Sequence, residues 1–247
     1  MKFDAVRAVL QDTPYMGVDE GWELYNFVLR ERPARCLELG HAHGASSLYI
    51  AAALDELGQG HLDSVDLQTS ADRVPNIESL FALAGLAHCL SIHREKNSYT
   101  WFLKNRIEQQ TVAGVCQTCY DFCFIDGCKN WTIDGLAFFL VEKLLEQGGW
   151  ILFDDYSWTH VRHKHKMQND GITVRSLGAE EIAQPHVEKI FQLLVMQHER
   201  FSNFVLQDRA WAWAQKTPDG RKALEVTTKT PLPARYSVRP RKQGISD

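Results

Sequence analysis

The chain has 247 residues, 45% hydrophobic and 23% charged, a balance that excludes disordered, collagen-like and membrane-embedded classes. With 27 basic and 31 acidic residues the net charge is −4, so no global basic field draws nucleic acid. No apolar run approaches a membrane span, and Met1-Lys2-Phe3-Asp4 lacks a signal-peptide core, so a cytoplasmic protein with no membrane partner is expected.

The elements alternate. Asp19 is expected to cap a helix to about residue 32, with Trp22, Tyr25, Val28 and Leu29 on one face and Pro33 ending it. Residues 36–39 form a short buried strand, 46–57 a helix, 61–66 a second strand and 77–86 a helix. A third strand at 89–93 is followed by a helix at 99–108, and a fourth strand at 120–126 by a helix at 131–146. A fifth strand spans 149–154, and a helix is expected over 179–198. The runs 201–206 and 209–216 leave room only for a tight connection, so they read as an antiparallel pair. Short apolar strands alternating with helices predict an α/β fold: a mostly parallel sheet covered on both faces. No linker divides the chain, so one domain over 1–217 is expected, with a lid insertion near 156–178. The segment 218–247 is polar and carries Arg235, Arg239, Arg241 and Lys242; it reads as a basic tail, weakly ordered or an arm on a partner.

Cys36 and Cys123 fall inside strand runs, where a thiol acts as a small hydrophobe. Cys116, Cys119, Cys123 and Cys128 are close in sequence, but one strand separates them, which argues against a zinc site.

In such a sheet ligands bind beyond the carboxyl ends of the strands. After the first strand comes Glu38-Leu39-Gly40-His41-Ala42-His43-Gly44-Ala45-Ser46. Gly40 and Gly44 let the backbone approach a ligand, and Ser46 can satisfy early helix donors. Position 42 is not glycine, so the dinucleotide pattern is incomplete, and Glu38 suits a positively charged ligand such as the amino group and sulfonium of S-adenosylmethionine. A tight turn with no ligand is the alternative. Asp66, ending the second strand, can accept both hydroxyls of a ribose, or be a solvated loop carboxylate. Ser98 follows the third strand, where a small polar residue can meet an adenine edge.

Asp126 ends the fourth strand with Lys129 three residues on, and the fifth ends in Asp154-Asp155. On neighbouring strands these three carboxylates converge and repel unless a cation sits among them. Oxygen-only ligands suit Mg²⁺, Ca²⁺ or Mn²⁺ rather than zinc. The alternatives are strand or helix caps for the acids, and an ion pair with Asp126 or Asp134 for Lys129. Beyond Asp155, the run from Trp158 through His160 to Lys166 is a charged loop that either binds an anionic acceptor or is simply solvated. Trp131 and Tyr156 either stack on adenine or acceptor, or pack under the lid.

Leu37-Glu38-Leu39-Gly40 with Gly44 and Ser46, Asp126 with Lys129, and Asp154-Asp155 together resemble the class I S-adenosylmethionine-dependent methyltransferases. Within that class the sequence is similar to the cation-dependent O-methyltransferases of the catechol and caffeoyl-coenzyme-A type. It is also similar to bacterial enzymes that methylate sugar hydroxyls in natural-product biosynthesis. The resemblance covers about residues 13–216 and implies a Rossmann-like, seven-stranded sheet. It implies cofactor contacts at Met16, Gly17, Glu38, Gly40, Gly44, Ser46, Asp66, Ser98 and Asp126. Asp126, Asp154 and Asp155 are implied as metal ligands, and Lys129, or a histidine such as His160, as the base. The implied partners are S-adenosylmethionine, a divalent cation such as Mg²⁺, and a small-molecule hydroxyl acceptor, either anionic or a sugar; a homo-oligomer is compatible. Two other readings are a metal-independent N- or O-methyltransferase of this fold and a non-catalytic binding protein that retains it.

Overall fold

The first helix, α1 (Lys2–Leu10), buries Phe3, Val6 and Leu10 along one face. The computed structural model describes residues 2–161 and 177–236. Helix α2 (Val18–Glu31) begins one residue before the expected cap. Gly17 occupies the cap position, its N–H donating to Glu20 Oε2 at 2.9 Å, and Asp19 lies in the first turn, where an acid also complements the helix dipole. Arg32, in the left-handed conformation, closes α2 just before Pro33. Then follow β1 (Arg35–Leu39), α3 (Ala45–Leu57), β2 (His61–Leu67), α4 (Ile77–Ala84), β3 (Leu90–Glu95) and α5 (Tyr99–Gln110). A small hairpin, β4 (Thr111–Val112) and β5 (Val115–Cys116), leads to β6 (Tyr120–Ile125), α6 (Trp131–Leu144) and β7 (Leu145–Phe153).

The helix expected over 179–198 is broken. Short helices α7 (Ala179–Ala183) and α8 (His186–Ile190) are separated at Gln184-Pro185, and a π-helical turn, Phe191–Val195, follows α8. Proline has no N–H to continue the ladder and drives the preceding residue out of the helical region, as the ψ of 144° at Gln184 records. The chain continues through β8 (Phe201–Gln207), β9 (Trp211–Lys216) and β10 (Glu225–Thr227).

The main sheet runs β10-β8-β9-β7-β6-β1-β2-β3, eight strands rather than the seven expected. β9 is antiparallel to β8, as the tight connection predicted, and also to β7, and the other pairings in this sheet are parallel. The extra strand comes from the segment read as a weakly ordered tail. β10 covers the open edge of β8, supplying partners that edge would otherwise lack. The chain then crosses to α2, where Thr230 N–H donates to Glu23 Oε2 at 2.8 Å. Tyr236, 5% exposed, packs on Phe3 and Trp22 at ring separations of 5.1 and 5.5 Å. Residues 218–236 are therefore docked on the body; the basic residues from Arg239 onward lie outside the described residues.

One apolar cluster packs α1–α4 on one face of the sheet, and the second packs α5, α6 and α8 on the other. β1 and β6 are buried on both faces over residues 36–39 and 122–125, and all of those residues except Glu38 are apolar. From β1 the chain moves outward to β3, then returns to lay β6 on the other side of β1. The loops leaving β1 and β6 turn to opposite sides and open a crevice at their carboxyl ends. Among the described residues no helix is long and apolar enough to cross a membrane.

Candidate functional site

The loops after β1 and β6 touch through backbone. Asp126 N–H donates to Leu39 O at 2.9 Å, and Gly40 N–H to Val65 O at 2.7 Å. Gly40 has φ +95°, and a Cβ there would lie 2.4 Å from Asp126 O. Gly44, at φ +97°, is the residue that caps α3, and its missing Cβ would meet Ile77 Cγ1 at 2.7 Å. Both glycines are thus required by close approach as well as by conformation.

Glu38 is fully buried and accepts from Ser46 Oγ at 2.5 Å, from Ser64 Oγ at 2.6 Å and from Ser47 Oγ. Burial raises its pKa, and the three hydroxyls oppose that rise. In this structure the Glu38 carboxylate is taken up by these three hydroxyls, and Ser46 spends its hydroxyl on Glu38 rather than on early helix N–H groups. Asp66 Oδ2 accepts from His41 N at 2.9 Å and Ala42 N at 2.7 Å, so the expected ribose acid also clamps the first loop. Ser98 caps α5, accepting from Thr100 N at 3.1 Å. Met16 packs on the apolar cluster under α2, and Gly17 is exposed at its start. Their neighbour Tyr15 stacks on His43 at 5.8 Å, which brings the 15–17 segment to the first loop.

The sequence reading passed over His41. It is 2% exposed, its Nδ1 is 2.9 Å from Ser64 Oγ and its Nε2 3.1 Å from Ser70 Oγ. Ser64 gives its proton to Glu38, so Nδ1 carries the imidazole hydrogen and Nε2 accepts from Ser70. Burial pulls the His41 pKa down to about 4. Between that value and the ordinary 6.5 the unfolded chain binds a proton that the native state refuses, so stability falls as pH drops through this window. The expected loss is about 3 kcal/mol. In urea unfolding, His41→Gln should be less stable than the parent at pH 7.5, with the gap closing by pH 4.5; parallel curves would refute the assignment. The signal available in the sequence was only a histidine flanked by Gly40 and Ala42.

The acids at the ends of β6 and β7 converge as their spacing predicted. Oxygens of Asp126, Asp154 and Asp155 lie within 4.8 Å of one another. Lys129, at φ +53°, turns its ammonium among them, 2.7 Å from Asp126 Oδ1 and 3.3 Å from Asp155 Oδ2. Asp134, the other proposed partner, is taken by Tyr99 Oη and by Asn130 N–H at 2.9 Å. Tyr99 Oη also accepts from Cys128 N at 3.2 Å, so one buried phenol fixes the 126–134 turn. Burial raises Asp126 to about 6 against the opposing Lys129 charge. Burial, with repulsion from Asp126 and Asp155, lifts Asp154 well above the carboxylate range. Burial alone would lower Lys129, but Asp126, Asp155 and Asp154 outweigh it and hold the amine well above its usual value.

One feature at this site was not foreseen. Trp211, fully buried on β9, donates its indole N–H to Asp154 Oδ1 at 2.7 Å. Lys229, beyond β10, places its ammonium 4.5 Å from the Trp211 ring centre. The alternating Trp211-Ala212-Trp213 pattern marked a strand, but not the residue 57 positions away that the indole would meet.

His160 is 1% exposed, with Nε2 3.1 Å from Lys129 O. A carbonyl only accepts, so Nε2 is a donor that holds the Lys129 turn, and that nitrogen is not a base. The basic run at 162–166 lies outside the described residues. Tyr156 is a packing residue, 3% exposed against Phe191, with its hydroxyl accepting from Gln192. Trp131 is 40% exposed and lines a cavity of about 280 Å³ with Asn130, Leu177, His186, Lys189 and Leu193, beside the Lys129 turn. Cys116 and Cys119 precede β6 and Cys128 follows it; among the described residues they form no metal-binding group.

Three carboxylates facing one ammonium leave an excess of negative charge in a poorly solvated place. The all-oxygen donor set therefore fits a hard divalent cation.

Residues 37–156 match a family model described as a methyltransferase domain. No curated protein matches the chain in sequence. Among solved structures, an O-methyltransferase from Bacillus cereus in complex with SAH is 18% identical, with TM-score 0.57 over 87% of this chain and 89% of that one. The O-methyltransferase TomG from Streptomyces achromogenes, involved in tomaymycin synthesis and in complex with SAM, is 17% identical, with TM-score 0.56 over 87% and 89%. A methyltransferase from Geobacter sulfurreducens is 12% identical, with TM-score 0.54 over 87% and 88%. At these identities the likeness is one of fold.

Proposed function

We propose that the chain, whose residues 37–156 match a methyltransferase-domain family model, is an S-adenosylmethionine-dependent O-methyltransferase that methylates a hydroxyl of a small molecule with the help of a divalent cation. The observation that carries this reading is the meeting of Asp126, Asp154, Asp155 and Lys129 at the crevice beside the Gly40 loop. The glycine loop after β1 and the carboxylate of Asp66 would seat the cofactor. Asp126, Asp154 and Asp155 would hold the cation, which when bound acidifies a hydroxyl that is otherwise a poor nucleophile. Trp211 orients Asp154, and Tyr99 with His160 holds the Lys129 turn. Lys129, an ammonium while it pairs with Asp126 and Asp155, could take the acceptor proton only after a bound cation took over those acids and it gave up its own proton. The cleft at Trp131 offers an aromatic wall and the Lys189 ammonium, suited to a flat or anionic acceptor. Most of the rate enhancement then comes from positioning, because a sulfonium methyl is already activated.

A second reading is methyl transfer without a cation. It is favoured by the Lys129 ammonium, which already sits between two of the carboxylates. One assay decides between them: purified chain, labelled S-adenosylmethionine, and a panel of phenols, sugars and acyl conjugates, with and without a chelator of divalent ions. Turnover that vanishes with chelator and returns with Mg²⁺ supports the first reading; turnover indifferent to chelator supports the second. No methyl transfer to any acceptor, together with no cofactor binding by calorimetry, would overturn both.

Trp211→Phe keeps an aromatic, though smaller, side chain and removes the N–H that orients Asp154. Loss of such an outer partner typically costs 10–100-fold in metal affinity or activity. The expected result is a Mg²⁺ half-saturation at least about tenfold higher, with unchanged S-adenosylmethionine affinity. An unchanged Mg²⁺ dependence would show that the hydrogen bond serves packing alone.

A further inference from the structure

At the other end of the sheet, three potential ligands of a different kind meet. Asp55 lies in the last turn of α3, which leads into the amino end of β2. His88 and Cys89 form the end of a short 3-10 turn, Ala87–Cys89, that enters the amino end of β3. Both placements are remote from Asp126, Asp154 and Asp155, which follow the carboxyl ends of their strands. His88 Nε2 is 3.0 Å from Asp55 Oδ1, and Cys89 Sγ lies within 4.8 Å of both partners' ligand atoms. Asp55 Oδ2 is held from outside by the Lys2 ammonium.

Cys89 is 4% exposed, and among the described residues its sulfur has no hydrogen-bond partner. An Asp–His pair alone is an ordinary surface contact. A buried, unpartnered thiol beside that pair completes a set of one oxygen, one nitrogen and one sulfur donor. Carboxylate-only sites take hard ions, whereas thiolate and imidazole donors select a borderline ion of tetrahedral preference, above all zinc.

We propose that Asp55, His88 and Cys89 form a zinc site at the end of the sheet opposite the carboxylate cluster. Three protein ligands leave a fourth position for water. On binding, a Zn–S bond forms as the Cys89 thiol releases its proton to buffer, and the ion replaces the hydrogen between His88 Nε2 and Asp55 Oδ1, the neutral imidazole keeping its hydrogen on Nδ1 instead. The ion would clasp the end of α3 to the start of β3. With the His88 side chain 63% exposed, it can exchange with solvent.

The test uses the full chain stripped of metal, in the Asp154→Ala background so that the carboxylate cluster does not compete. Zinc titration by calorimetry is expected to give one equivalent, and Co²⁺ is expected to give a thiolate-to-cobalt charge-transfer band. Cys89→Ser, close in size, and His88→Ala, at an exposed position, should each weaken zinc binding by at least about 100-fold, more than the loss of an outer partner. Cys89→Ser should also abolish the cobalt band, with circular dichroism confirming the fold of both variants. Zinc affinity unchanged in Cys89→Ser or His88→Ala overturns the proposal, as does the absence of a thiolate band in the parent protein.

Discussion

Asp154→Ala should lose methyl transfer by about 10³-fold while S-adenosylmethionine binding stays within a few-fold. Asp154 is one of three carboxylates that meet at the ends of β6 and β7, and it alone of the three receives the buried Trp211 indole. Taking it away leaves two acids for a cation, a loss worth several kcal/mol of charge stabilisation at the reacting oxygen. The proposed cofactor seat, at the β1 loop and Asp66, is untouched. Stability is pulled both ways. Trp211 keeps an unsatisfied N–H, at a cost of about 1–3 kcal/mol, while removal of one repelling acid relieves Asp126 and Asp155. Thermal unfolding should therefore move little. Asp154→Asn supplies the control, since its amide oxygen still accepts from Trp211 but carries no charge. If Asn restores the rate, Asp154 acts by holding Trp211. If Ala leaves turnover with Mg²⁺ within tenfold of the parent, the carboxylate cluster is not where the chemistry is assisted.

Gly40→Val should be the most damaging single change in the first loop. At φ +95° a side chain carries an intrinsic strain of about 1–2 kcal/mol. Here it also meets backbone on every near side, with Asp126 O at 2.4 Å, Asp126 C at 2.8 Å and Gly127 Cα at 2.9 Å. None of these atoms can swing away, because Asp126 N–H is tied to Leu39 O and Cys128 N–H to Tyr99. The expected destabilisation is about 2–5 kcal/mol, the strain plus the cost of overpacking. Whatever protein folds should bind S-adenosylmethionine poorly, since the loops that shape the crevice must separate. Gly58→Ala separates the two contributions. Gly58 is also left-handed, at φ +67°, but a methyl group there would have nothing within 4 Å. It should therefore show only the conformational part, about 1 kcal/mol. Equal losses in denaturant titration for the two variants would mean that the contact with Asp126 carries no weight.

Much of the site was readable because it sits where strands end, and strand ends are locally written. A buried parallel strand is a short apolar run. Asp126 and Asp154 directly follow β6 and β7, and Asp66 is the next-to-last residue of β2, so these acids mark the carboxyl ends, where sheets of this kind bind ligands. The glycines at 40 and 44 were readable for the same reason, as local punctuation. What the sequence did not disclose depends on partners far along the chain. The helix α1 was missed, since its Phe3-Val6-Leu10 face acquires meaning only against Trp22, Tyr49 and Tyr236. The polar stretch after residue 218 gave no sign that three of its residues would pair with β8, because an edge strand needs backbone partners more than apolar side chains.

By itself, then, the sequence determined the alternation of strands and helices, the convergence of Asp126, Asp154 and Asp155, and the glycine loop that lets the first crossover turn close to Asp126 at the end of β6. These follow from periodicity and from spacing within a few residues. Only the tertiary structure decided how each charge is spent: Glu38 turned inward onto three serines, Asp66 holding the loop beneath it, Lys129 kept as an ammonium among acids, and Trp211 fixing Asp154. The physical reason is that protonation and orientation depend on burial and on neighbours at all sequence separations, and those are properties of the packed chain.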